Sequence, residues 1–183
     1  TYLKTLAPQM ASGHLQGAVL RFITQMISPK SVLEIGSFTG YATLCFLEGL
    51  PTEGIIHTIE VNPELAYIIK KYIHIAKAEK QIQLHIGKAE EIIPKLNTNF
   101  DLVFIDAGKM QYPAYYDLVF DRVNIGGYIL ADNVLWSGKV LHRNKDKDSK
   151  ILDFFNKKIQ NDPRVDNVLL PIRDGLMLAR KIK

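Results

Sequence analysis

Two carboxylates, an amide and an amine sit at the ends of two apolar, β-rich runs. Ile105-Asp106-Ala107-Gly108-Lys109 closes one run and Ala131-Asp132-Asn133-Val134-Leu135-Trp136 closes the other. If these runs are adjacent strands, their tips bring Asp106, Asp132 and Asn133 together. Such donors are hard oxygens with no His or Cys nearby in sequence, which favours Mg²⁺, Mn²⁺ or Ca²⁺ over Zn²⁺. Mg²⁺ commonly leaves positions for water or substrate oxygens, so three protein donors leave room for a chelating substrate. The alternative is that Asp106 and Asp132 only cap the turns that follow them. Lys109, three residues beyond Asp106, can reach the same place, either as a catalytic amine or as an ordinary surface lysine.

A second cluster surrounds Glu34-Ile35-Gly36-Ser37-Phe38-Thr39-Gly40-Tyr41. The glycines let backbone approach a ligand closely. The spacing is E-x-G-x-x-x-G and not the G-x-G-x-x-G of a dinucleotide fold, which argues against a nicotinamide oxidoreductase. A carboxylate at Glu34 would repel a pyrophosphate but suits a ligand carrying positive charge, such as an amino group beside a sulfonium. Glu60, at the end of the next β-rich run, stands where an acidic side chain can take both hydroxyls of a ribose. A nucleoside with a cationic tail is S-adenosylmethionine. Gly87-Lys88-Ala89, after the third run, is where an adenine edge could meet backbone.

The elements that position these groups alternate. Ser31–Ile35, Ile55–Val61, Gln81–Ile86, Phe100–Asp106 and Gly127–Asp132 read as buried strands. Helical spacing covers Gly40–Leu50, Pro63–Glu79, Lys88–Leu96 and Tyr112–Val123, with Asn62 as N-cap before Pro63. This pattern predicts an α/β fold, a parallel sheet with helices on both faces and ligands beyond the carboxyl ends of the strands. Lys147–Gln160 then reads as a helix. Val165–Leu170 and Leu176–Lys181 are joined by a link short enough to permit only antiparallel pairing. The stripe Tyr112, Tyr115, Tyr116 and Val119 reads as a core face before a substrate wall. The five histidines are scattered and suggest no ligand set.

Composition sets the outer bounds. With 183 residues, 47% hydrophobic and 23% charged, one globular domain over 1–183 is expected, and a disordered chain or disulfide scaffold is excluded. No apolar run approaches the roughly 18–20 residues needed to span a bilayer. One cysteine, Cys45, precludes an intrachain disulfide and points to a reducing, cytoplasmic setting. The chain starts at Thr1 and not at Met, so its N-terminal segment is expected to be incomplete. The net charge of +4 is mild. Its densest basic stretch, Lys139 to Lys150, is interleaved with Asp146 and Asp148 and reads as a solvated loop.

Together these segments resemble the cation-dependent O-methyltransferases that act on catechols and caffeoyl-coenzyme A, from about Met10 to the C-terminus. Glu34 to Tyr41, Phe100 to Lys109, Gly126-Gly127 through Ser137-Gly138, and Leu170-Pro171-Ile172-Arg173-Asp174-Gly175-Leu176 carry the likeness. The resemblance implies a Rossmann-like class I methyltransferase sheet of seven strands, mostly parallel with an antiparallel C-terminal strand, and a homodimer. It implies that Asp106, Asp132 and Asn133 bind the dication and that Lys109 is the general base. Ser12, Glu34, Gly36, Ser37, Glu60, Ala89 and Asp106 would contact S-adenosylmethionine, and Trp136 and Ser137 would border a small aromatic substrate. Ala42, Lys88 and Gly108 depart from the family pattern and bear on cofactor affinity. Two rival readings are an RNA methyltransferase using the basic loop and a catalytically weakened cofactor-binding homodimer.

Overall fold

A computed structural model describes residues 13–183. Seven strands form a sheet in the order β3-β2-β1-β4-β5-β7-β6 with helices around it, as the resemblance implies. The chain divides into two compact units, up to Asn97 and from Thr98 to Lys183.

The first unit contains α1 (Gly13–Ile27), β1 (Ser31–Ile35), α2 (Tyr41–Leu47), β2 (Ile55–Glu60), α3 (Ala66–Ile75), β3 (Ile82–Ile86) and the short α4 (Ala89–Ile92). β1 and β2, and β2 and β3, pair in parallel. Val32, Leu33 and Ile35 of β1 and Ile56 and Ile59 of β2 are almost wholly buried, as a strand covered on both faces requires. α3 turns Ile68, Ile69 and Ile73 inward. Asn62 does cap the 3₁₀ turn Pro63–Leu65, accepting from the Glu64 N–H at 3.0 Å. α1 precedes the first strand that sequence periodicity marks, and its Leu15, Phe22 and Met26 are exposed.

The second unit contains β4 (Phe100–Ile105), α5 (Tyr112–Phe120), β5 (Val123–Asp132), α6 (Lys147–Gln160), β6 (Val165–Leu170) and β7 (Leu176–Lys181). β4 and β5 are parallel, while β7 runs antiparallel to both β5 and β6. β7 is therefore the one reversed strand of this unit, and β6 runs with β5. β5 begins four residues before the expected Gly127. Its pairing with β4 shifts register between Phe100 and Leu102, so the strand continues through a bulge containing Gly126 and Gly127. Tyr112, Tyr116 and Val119 are fully buried and Tyr115 is 8% exposed, which makes the tyrosine stripe a core face. Phe155 of α6 meets Tyr112 edge-on, with ring centroids 5.3 Å apart.

Two of the scattered histidines come together across β2 and β3. His57 Nδ1 lies 3.1 Å from His85 Nε2, and the rings stack with centroids 5.4 Å apart. Burial holds both imidazoles below their ordinary value, and the neighbouring His85 charge lowers His57 further. The unfolded chain then binds more protons than the native one, so this contribution to stability is present at neutral pH and lost as pH falls through about 6.5. Denaturant melts between pH 7.5 and 5 should show that loss, and His57→Gln/His85→Gln should flatten it.

Candidate functional site

The first unit presents a glycine loop bound to Glu60. Gly36, Phe38 and Gly40 have φ of 99°, 51° and 75°. Gly36 adopts this region without the steric cost a Cβ would bring, whereas Phe38 is held there by its surroundings. The Phe38 N–H donates to Glu60 Oε2 at 2.8 Å, and the Asn62 N–H donates to Oε1 at 2.9 Å. Glu60 is thus a buried carboxylate with each oxygen anchored by one backbone donor. A carboxylate has about four acceptor positions, so further hydroxyl donors can still be accommodated.

Glu34 is fully buried, and Thr43 and Thr58 donate their hydroxyls to its Oε2. Thr58 also bonds Ser37, which ties the loop to β2. Glu34 is therefore held by hydroxyls of α2 and β2 behind the loop. Ala89 opens α4 and is buried, while the Gly87 N–H donates to the Glu60 carbonyl at 2.9 Å. Val61 and Ile86, which sequence reading passed over, are exposed apolar side chains flanking this strand end, at 65% and 39%. Ala42 is buried, and Lys88 makes a surface pair with Glu91 at 3.8 Å. Ser12 lies outside the described residues.

The second unit gathers its oxygen donors around one ammonium. Lys109 Nζ stands 3.4 Å from Asp106 Oδ1, 3.0 Å from Asn133 Oδ1 and 3.5 Å from the Asp132 carbonyl, and donates to the Tyr112 hydroxyl. Its side chain is only 9% exposed. The Tyr112 hydroxyl also lies 3.2 Å from the Ile105 carbonyl and 3.0 Å from that of Asp132, so it ties together the ends of β4 and β5. Tyr112 is a residue beside the cluster that the sequence places on a core face before a substrate wall, with no role for its hydroxyl. Its position three residues after Lys109 is the signal that could have found it. Burial, assisted by the charge of Asp132, pushes the Asp106 carboxyl up to about 6 despite the opposing ammonium.

The Asp132 carboxylate accepts the Asn133 N–H at 2.8 Å, and Asn133 takes φ of 57°. This fixes the amide oxygen toward Lys109. Trp136 lies with its ring centroid 6.0 Å from Lys109 Nζ. Trp136, Ser137 and Gly138 are all left-handed. α6 supports the loop through the Asn156 side-chain amide, which donates to the Val134 carbonyl at 2.8 Å. Lys139 and Lys145 of the basic stretch pair with Asp146 and Asp153, so part of its charge is neutralised internally.

These donors fit a cation, because a positive charge already stands among them. Among the described residues no group of three or more His, Cys, Asp or Glu side chains forms a metal site. A site here therefore depends on an amide as its third donor. Lys109→Met should raise Mg²⁺ affinity about tenfold by calorimetry at pH 8.5, where Asp106 is ionised, because a competing charge is removed. It should also lower the melting temperature of the metal-free protein.

The sequence profile of the O-methyltransferase family matches residues 1–182. A catechol O-methyltransferase from Niastella koreensis is 32% identical over 182 residues, covering 94% of this chain and 82% of its own length. A caffeoyl-CoA O-methyltransferase from Petroselinum crispum is 32% identical over 180 residues, covering 91% and 75%. The crystal structure of an O-methyltransferase from Bacillus cereus in complex with SAH has a TM-score of 0.90 and 26% identity, covering 98% and 87%.

Proposed function

Because the chain belongs to the O-methyltransferase family and is an S-adenosylmethionine-dependent enzyme of the caffeoyl-CoA/catechol type, we propose that it methylates a phenolic oxygen of a vicinal-dihydroxy aromatic with the help of a divalent cation. The observation that carries this reading is the Lys109 ammonium among the side-chain oxygens of Asp106 and Asn133 and the backbone carbonyl of Asp132.

In this reading Glu60 takes the ribose hydroxyls, Gly36 and Ser37 line the cofactor's tail, and Glu34 supplies negative charge toward its cationic end. Ala89 and the apolar Val61 and Ile86 border the adenine. Ser12 is assigned to the cofactor by resemblance. Asp106, Asp132 and Asn133 hold Mg²⁺, with Mn²⁺ or Ca²⁺ as alternatives. When bound, a dication would supply Lewis acidity that lowers the phenol pKa, and S-adenosylmethionine would supply the methyl carbon.

Lys109 is the group that takes the phenolic proton or, still charged, stabilises the phenolate. Tyr112 keeps Lys109 in place. Burial and the charges of Asp106 and Asp132 hold the Tyr112 phenol well above its ordinary range, so it stays a hydrogen-bond donor. Trp136 and Ser137 form the wall against which the aromatic ring lies.

The exposed Leu15, Phe22 and Met26 of α1 support a homodimer, and the lone Cys45 supports a cytoplasmic setting. The test is methyl transfer to catechol. Activity should vanish in excess EDTA and return with Mg²⁺, and full activity in EDTA would refute the cation's role. Asp106→Asn should lower turnover at least about a thousandfold, while calorimetric affinity for S-adenosylmethionine stays within a few-fold.

A further inference from the structure

Three successive peptide units carry the chain from the end of β5 past the oxygen cluster, and each is held at both its polar groups. In the first, the Asp132 carbonyl accepts from the Tyr112 hydroxyl at 3.0 Å, and the Asn133 N–H donates to Asp132 Oδ1 at 2.8 Å. In the second, the Val134 N–H donates to the Gly175 carbonyl at 3.1 Å, and the Asn133 carbonyl accepts from the Trp136 N–H at 3.3 Å. In the third, the Leu135 N–H donates to the Asp174 carbonyl at 2.9 Å, and the Val134 carbonyl accepts from the Asn156 side-chain amide at 2.8 Å. Peptide units are planar, so fixing three in a row fixes the dihedrals of Asn133 and Val134 between them. Asn133 is thereby held at φ 57°, a region sparsely populated outside glycine, with its amide oxygen 3.0 Å from Lys109 Nζ.

Stability alone does not explain an amide at position 156. Asn156 lies on α6 beside the fully buried Phe155, and its Oδ1 is buried with no hydrogen-bond partner among the described residues. A buried acceptor without a donor costs stability, and an apolar side chain of the same shape would remove that cost. What the amide supplies is its N–H. Val134 is fully buried, so its carbonyl needs a donor from the protein. Phe155 packs edge-on against Tyr112, the phenol to which Lys109 donates. Consecutive residues of α6 therefore support Lys109 on one side and Asn133 on the other.

We propose that Asn156 is a positioning residue: by holding the Val134 carbonyl it keeps the Asn133 amide oxygen among the donors of the cluster. With that hydrogen bond gone, the peptide unit after Val134 can turn, and Asn133 can leave its left-handed backbone for a commoner one. Its amide oxygen then swings out of the cluster. Among the described residues no third carboxylate, imidazole or thiol stands there to replace it. The proposal rests on the cation reading above and adds the residue that prepares the third donor.

Calorimetric titration of Mg²⁺ alone, at pH 8.5, into wild type, Asn156→Leu, Asn156→Ala and Ile159→Val tests it, with SAH titrated into each in parallel. Both Asn156 variants should bind Mg²⁺ about tenfold more weakly, the effect of one lost hydrogen bond, while SAH affinity stays within about twofold of wild type. Asn156→Leu should melt within about 3 °C of wild type, because the unpartnered acceptor leaves together with the donor. Ile159, one turn further along α6, is fully buried. Ile159→Val should lower the melting temperature by about 3–5 °C and leave Mg²⁺ affinity unchanged. Mg²⁺ affinity unchanged in both Asn156 variants would overturn this proposal alone. So would an equal weakening in Ile159→Val, or a parallel loss of SAH affinity. Absence of Mg²⁺ binding to wild type would overturn both this proposal and the cation reading.

Discussion

One ammonium governs the second unit. Without Lys109, Asp106 would keep the repulsion of the buried Asp132 and lose its nearest opposing charge, and burial already pushes the Asp106 carboxyl up to about 6. The amine offsets that repulsion and fixes the Asn133 amide. Tyr112 bridges the two strand ends from below. The strained backbone of Asn133 follows from this arrangement, because its side chain must turn toward a charge while its N–H satisfies Asp132. A buried cluster of this kind stays stable only when each charge has partners.

The first unit solves a different problem. Its glycine loop must hold a left-handed backbone at Gly36, Phe38 and Gly40 without collapsing onto the sheet. Glu60 takes one oxygen to the loop and the other to the turn after β2, so one carboxylate sets both edges of the ligand-facing rim. Glu34 lies beneath, held by two threonine hydroxyls. The rim is shaped before any ligand arrives, which reduces the ordering cost of binding.

Strand positions were legible in the sequence because short β-rich runs stand between turn signals. Ser31–Ile35, Val165–Leu170 and Leu176–Lys181 match residue for residue, as does the helix Lys147–Gln160. β5 was read short because Gly126-Gly127 looks like a boundary, whereas the sheet accommodates it as a bulge. The oxygen donors were legible from their places at strand ends. Tyr112 was not, since a buried aromatic at helical spacing gives no sign that its hydroxyl is employed. The His57–His85 pair was hidden for a related reason. The two residues are 28 positions apart in sequence, and only the pairing of β2 with β3 brings their rings together.

The reversed strand has a consequence for how the protein is made. β7 lies between β5 and β6, and Asp132, the cluster's buried carboxylate, registers with its first residue, Leu176. During translation the tips of β4 and β5 leave the ribosome well before that neighbour exists. Until β7 inserts, the loop from Asn133 to Ser137 lacks the carbonyls and carboxylate that its N–H groups require. The loop therefore reaches its final hydrogen bonding only once β7 and the turn before it are in place.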